Sequence, residues 1–166
     1  LARHAGVMIA DSVGLGKTWI GKRLLEDYGY FQRQKVLVVC PASLRSMWEG
    51  ELREASIAGA IVTHEWLGRP EATPLDYGGC DVILIDESHN FRNHRAMRYE
   101  AIEQLIAAGG GRGEAGERKK VILLTATPIN NDLFDLYNQI SLITQRDDGR
   151  SGTEVVLRVP VSSDGD

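Results

Sequence analysis

An apolar run, a glycine-rich turn and an amphipathic run follow one another at the start of this chain, and few folds accept that order. Val7-Met8-Ile9-Ala10 leads into Asp11-Ser-Val-Gly-Leu-Gly-Lys-Thr18, which leads into the helical pattern from Trp19 to Tyr28. A strand, a tight turn and a helix in that order aim backbone N–H groups at the helix N-terminus, where an anion is stabilised. Those N–H groups can cradle phosphate, Lys17 can reach a β- or γ-phosphate, and the Thr18 hydroxyl suits Mg²⁺. The general loop pattern has a glycine five residues before Gly16, and here Asp11 takes that place.

A second string supplies what the first lacks. The apolar run Asp81-Val-Ile-Leu-Ile85 ends in Asp86-Glu-Ser-His89, so two adjacent carboxylates leave the C-terminal end of a strand. Asp86 can organise the Mg²⁺ shell, and Glu87 can orient and deprotonate a water for attack on a γ-phosphate. Either string alone is an ordinary connection or a solvated strand terminus. Both together, at strand ends that share one edge of a parallel sheet, point to ATP hydrolysis.

The remaining pattern makes that sheet explicit. Short apolar runs at Val7–Ala10, Val36–Cys40, Ala60–Thr63, Val82–Asp86 and Val121–Thr125 alternate with helical segments, which is the signature of βαβ units. Helices are expected from about Lys17 to Tyr28 with Gly29 as the stop, from near Ser43, from Arg95 to Ala108, and from Asp132 to Ile143. The fold class is α/β, a mostly parallel sheet with helices on both faces. Gly109 to Gly116 reads as a loop, residues 145–166 as a linker or tail, and the Val155–Val161 stretch has no assigned role.

Composition limits the alternatives. At 166 residues, 43% hydrophobic and 25% charged, the chain has the makeup of one globular domain with a sizeable core. Its apolar runs are strand-length, so no membrane span is expected. Cys40 and Cys80 are isolated and the four His residues are dispersed, which argues for reduced cysteines and against a structural zinc site. The net charge of −4 does not advertise a nucleic-acid binder, so any such contact must be local. Two basic clusters, Arg92/His94/Arg95/Arg98 and Arg112/Arg118/Lys119/Lys120, read first as solvated surface charge. The chain opens at Leu1 rather than Met, and a longer parent polypeptide is expected.

These strings, in order, resemble the motifs of Swi/Snf-like superfamily 2 motors from about Gly6 to Ile143. Asp11 to Thr18 resembles motif I in the form where an acidic residue replaces the first glycine; the branch usually carries Glu or Asp next, where this chain has Ser12. Pro41-Ala-Ser-Leu44, with Trp48 and Glu51, is similar to motif Ia. Ile61-Val-Thr-His64 is similar to motif Ib, and Asp86-Glu-Ser-His89 to motif II of the DEAH type. Leu124-Thr-Ala-Thr-Pro-Ile-Asn-Asn131 resembles motif III, its paired asparagines setting it apart from RNA helicases.

The resemblance implies a RecA-like P-loop NTPase lobe over residues 1–144, the ATP-binding half of a double-stranded DNA translocase. It implies ATP and Mg²⁺ as cofactors, with Asp11 and Gly14 to Thr18 at the nucleotide, Thr18 and Asp86 at the metal, and Lys17 and Glu87 in catalysis. His89, Thr125 and Thr127 would couple nucleotide state to DNA. Pro41, Ser43, Thr63 and His64 would touch the DNA phosphate backbone without reading sequence. A second RecA-like lobe of the same polypeptide, bearing the arginine finger, would close the site. Localisation would be cytoplasmic and nucleoid-associated in a prokaryote, the favoured case, or nuclear in a eukaryote. The alternatives are a lobe of an RNA or strand-separating helicase, and a nucleotide-binding interaction module without turnover.

Overall fold

Five of the strands lie side by side in parallel because each is apolar on both faces and must be covered twice. The computed structural model describes residues 6–10, 16–109, 119–126, 133–144 and 157–158. The strands are β1 (Gly6–Ala10), β2 (Val36–Cys40), β3 (Gly59–Thr63), β4 (Val82–Ile85), β5 (Lys120–Thr125) and β6 (Leu157–Arg158). Their order across the sheet is β3-β2-β4-β5-β1-β6, every pairing parallel. The helices are α1 (Lys17–Leu25), α2 (Arg45–Glu54), α3 (His64–Leu67), α4 (Met97–Ala107) and α5 (Leu133–Thr144).

The strand period of two sorts the core into two layers. Leu37, Val39, Ile83, Ile85, Val121 and Leu123 point to one face, where Tyr99, Ile102 and Leu105 of α4 and Leu142 and Ile143 of α5 cover them. Val36, Val38, Val82, Leu84, Ile122 and Leu124 point to the other, under Leu25 of α1 and Trp48 and Leu52 of α2. The expected α/β class, with helices on both faces, is the observed one.

Three local expectations change. Gly29 does not stop the first helix: after Leu25 the chain widens into a π-helical segment, Glu26–Phe31, that runs through it. Gly29 is there for space, since a Cβ on it would lie 2.7 Å from Ile57 Cγ2; the chain turns away later, at Arg33, with φ 58°. Lys119 is not solvated charge. It is 1% exposed, and its ammonium donates to the carbonyls of Gly78, Ala108 and Gly109 at 2.5, 2.5 and 2.9 Å, with burial pulling its pKa down. The unassigned Val155–Val161 stretch contributes β6, with Leu157 paired to Met8 and Arg158 to Ile9. Residues 110–118, which include most of the expected glycine loop together with Arg112 and Arg118, lie outside the described residues.

Helix α1 sits unusually close to the sheet at Gly21. A Cβ there would lie 2.8 Å from Leu124 Cδ1, 3.0 Å from Leu84 Cδ1 and 3.3 Å from Trp48 Cη2. Gly21→Val is therefore expected to destabilise the fold by about 1–3 kcal/mol through overpacking, read as a lower urea midpoint with an unchanged m-value.

Candidate functional site

Parallel pairing in register brings every motif to one edge. Ala10 pairs with Thr125, Ile85 with Leu123 and with Val39, and Cys40 with Thr63. The C-terminal ends of β3, β2, β4, β5 and β1 thus emerge together. Along that edge the motifs follow the spatial order Ib, Ia, II, III, I, which differs from their order in the chain.

At the β1 end, Gly16 caps α1 with φ 88° and ψ 22°, a left-handed conformation that side chains disfavour. Its carbonyl accepts from Ile20 N at 3.0 Å. Lys17 and Thr18, both half-buried, form the first turn, so the N–H groups of the helix start and the lysine stand together. Asp11, Gly14 and Leu15, expected at the nucleotide, lie outside the described residues.

At the β4 end, Asp86 is 5% exposed and doubly held. Its Oδ2 accepts from Trp48 Nε1 at 2.9 Å, and its Oδ1 accepts from Glu87 N at 2.9 Å. Both partners are N–H donors, and among the described residues no cationic side chain pairs with this carboxylate. Two N–H donors fix the direction of both carboxylate oxygens, and each oxygen keeps a lone pair that a cation can take. That donor set, with the Thr18 hydroxyl, fits Mg²⁺, an oxygen-seeking ion. The sequence places Trp48 in a motif and on a core face; its direct hold on Asp86 comes from the fold.

Glu87 adopts φ 50° and ψ 49°, a strained conformation for a residue with a side chain. Asn90 sustains it by donating twice to the Glu87 carbonyl, from its backbone N at 3.0 Å and from Nδ2 at 3.1 Å. Glu87 Oε2 lies 3.2 Å from His89 Nδ1, outside hydrogen-bond geometry, and that oxygen has no hydrogen-bond partner among the described residues. The side chain as a whole is half-buried, with Oε2 enclosed against the His89 ring. His89 thus faces Glu87, while Thr125, fully buried, ends β5 between the two halves of the edge. Thr127 lies outside the described residues.

At the β2 and β3 ends, Pro41 is half-buried and Ser43 exposed at the start of a 3₁₀ turn that opens α2. The N–H of neighbouring Ala42 donates to Glu65 Oε2 at 3.0 Å, so that donor is already taken. Thr63 caps α3, its hydroxyl accepting from Trp66 N at 3.2 Å. His64, expected at a DNA backbone, has its imidazole in the core: it is 2% exposed and stacks edge-on against Phe91 at 4.8 Å. Burial chiefly pushes its pKa down to about 4, helped by Arg98 and opposed by Glu65. A neutral, enclosed ring is no phosphate ligand, which removes the His64 side chain from the expected interface.

No family model matches the chain. It is 30% identical over 156 residues to an uncharacterized ATP-dependent helicase, YqhH, of Bacillus subtilis, covering 82% of this chain and 26% of that one. It is 30% identical over 155 residues to the RNA polymerase-associated protein RapA of Pseudomonas savastanoi, covering 74% and 15%. The DNA repair and recombination protein RAD54 of rice is 25% identical over 173 residues, covering 82% and 16%. Among solved structures, the SWI2/SNF2 ATPase core of Sulfolobus solfataricus in complex with dsDNA superposes with a TM-score of 0.66 at 23% identity, covering 85% of this chain and 32% of that one. The Swi/Snf-like resemblance and the RecA-like fold are thereby shown. The chain spans about a quarter or less of the length of these curated relatives.

Two outcomes follow from this geometry. Trp48→Phe strips the Asp86 carboxylate of a buried donor and is expected to cost about 1–3 kcal/mol, read by chemical denaturation. His64, with its folded pKa near 4 against 6.5 when free, refuses a proton that the unfolded chain accepts. Stability is therefore expected to fall as pH drops from about 6.5 towards 4, by on the order of 3 kcal/mol at most from this group. His64→Leu should flatten the dependence of stability on pH across that window, so the wild-type-minus-variant difference changes with pH there.

Proposed function

We propose that this chain, a homologue of the Swi/Snf-like helicases, is the ATP-binding lobe of an ATP-dependent double-stranded DNA translocase. The observation that carries the reading is the common sheet edge, where the Lys17–Thr18 turn and the Asp86–Glu87 pair flank Thr125 on three neighbouring strands. In this reading residues 1–144 form the lobe and 145–166 are a tail whose Leu157–Arg158 adds β6 beside β1. A second RecA-like lobe of the same polypeptide completes the site, in keeping with the short span of this chain on its relatives. Localisation follows the DNA, cytoplasmic and nucleoid-associated in a prokaryote.

The residues divide the work by chemistry. Lys17 and the N–H groups from Gly14 to Thr18 bind the phosphates, with Asp11 and Leu15 shaping the loop. Thr18 and Asp86 hold Mg²⁺, which when bound neutralises charge on the transferred phosphoryl group. Glu87, whose Oε2 lies 3.2 Å from His89 Nδ1, orients a water and takes its proton as the water attacks the γ-phosphate. His89, Thr125 and Thr127 relay nucleotide state to the DNA side. There Pro41, Ser43 and Thr63 approach backbone phosphates, joined by the exposed His94 and Arg95. Such contacts position the lobe without reading bases.

The test uses the full-length polypeptide. Lys17→Ala is expected to abolish nucleotide binding, because it removes charge from the bound ground state. Glu87→Gln is expected to keep binding and lower turnover by about 10²–10⁴-fold, because it acts only in the chemical step. Turnover should be stimulated by duplex DNA and not by RNA. An unchanged rate in Glu87→Gln would overturn the base assignment, and stimulation by RNA alone would move the chain to another helicase branch.

A further inference from the structure

The segment that follows the acidic pair is tied to a helix distant in sequence, through buried polar side chains that the reaction itself does not use. Ser88, fully buried, donates its hydroxyl to Gln139 Oε1 at 2.9 Å. Gln139, also fully buried, is oriented by its own helix, its Nε2 donating to the Asp135 carbonyl at 3.1 Å. One residue back, Asn138 Nδ2 donates to the Arg92 carbonyl at 2.6 Å. Tyr99 of α4 donates its hydroxyl to the Asn138 carbonyl at 2.9 Å. Helix α5 is thus fastened to both ends of the 3₁₀ turn Ser88–Phe91.

Side-chain hydrogen bonds between buried polar groups are a costly way to join a helix to a loop, since apolar packing does so without desolvating anything. What they add is a defined geometry. The link reaches Ser88, the residue next to Glu87, whose left-handed backbone sets where its carboxylate points. A shift of α5 along its axis would therefore pull on the Ser88 hydroxyl and the Arg92 carbonyl together, and turn the Glu87 carboxylate.

We propose that Ser88, Asn138 and Gln139 are positioning residues that couple α5 to Glu87, so that the placement of α5 sets how well Glu87 meets the attacking water. This rests on the ATPase reading above. The coupling runs through α5, separately from the strand end at Thr125. Elements joined in this way move as a unit with discrete arrangements.

The experiment measures DNA-stimulated ATP turnover of the full-length polypeptide with Ser88→Ala, Gln139→Leu and the double variant, alongside Lys17→Ala. Each single variant is expected to lower the DNA-stimulated kcat about tenfold, a size typical of coupling between sites, with the ATP KM within about twofold of wild type. The double variant should fall no further than either single one, because both break the same link. Ser88→Ala removes one atom and carries the test alone if Gln139→Leu does not fold. If Lys17→Ala abolishes turnover while Ser88→Ala keeps the wild-type kcat, the link is overturned and the ATPase reading stands. Losses that add in the double variant, or that follow a lowered melting temperature, overturn it in favour of a merely structural bond. Turnover that survives Lys17→Ala overturns the assignment of ATP hydrolysis to this site, and this coupling with it.

Discussion

The Trp48 side chain is the junction on which the site depends. Fully buried on α2, its ring reaches to within 3.3 Å of the Cβ position at Gly21 of α1, while its indole N–H holds Asp86 at the end of β4. Together with Leu84 and Leu124 it sets how closely α1 lies on the sheet, and its indole orients the Asp86 carboxylate. Only glycine at position 21 lets α1 come down that far. The ion pairs from Lys22 to Glu51 and Glu54, at 2.7 and 3.2 Å, brace the same two helices at the surface, where such pairs contribute little on their own.

The sheet converts this local arrangement into a site. Because all pairings are parallel and in register, each loop that carries chemistry leaves from the same edge, and each helix returns across a face that is wholly apolar. The buried, fully apolar strands β2 and β4 make that edge stiff. Against this rigid base stands a strained element, the left-handed Glu87, held by two bonds from Asn90 on one side and by the Ser88–Gln139 bond on the other. Strain of this kind survives only where the surroundings over-determine it, and the bonds around Glu87 do so.

Most of the architecture was legible in the chain because parallel strands covered on both faces leave unbroken apolar runs. Val36–Cys40 was read to the residue, and Val121–Thr125 to within one. The first helix was read too simply, since Gly29 looks like a stop by propensity and is in fact a concession to Ile57, a residue far from it in sequence. Sequence points Lys119 to the surface, because lysine seldom goes inside. Three carbonyls brought together by distant loops make its burial tolerable, and no local pattern records them. Analogy of motif points His64 towards DNA, whereas the fold encloses its imidazole against Phe91, a contact that no local pattern records.

Sequence by itself determined the menu of chemistry: a lysine and threonine after a glycine turn, a carboxylate pair after an apolar run, and the alternation that demands a parallel sheet. Those are properties of neighbours along the chain, where turn geometry and periodicity act. Tertiary structure decided how the pieces meet. The strand order β3-β2-β4-β5-β1 set motif III between motifs I and II, Trp48 was turned into the donor for Asp86, and Gln139 was brought to Ser88 across 51 residues. Such contacts follow from packing and from the need to satisfy buried polar groups. Both depend on which surfaces the whole chain brings together, and no window of sequence contains that information.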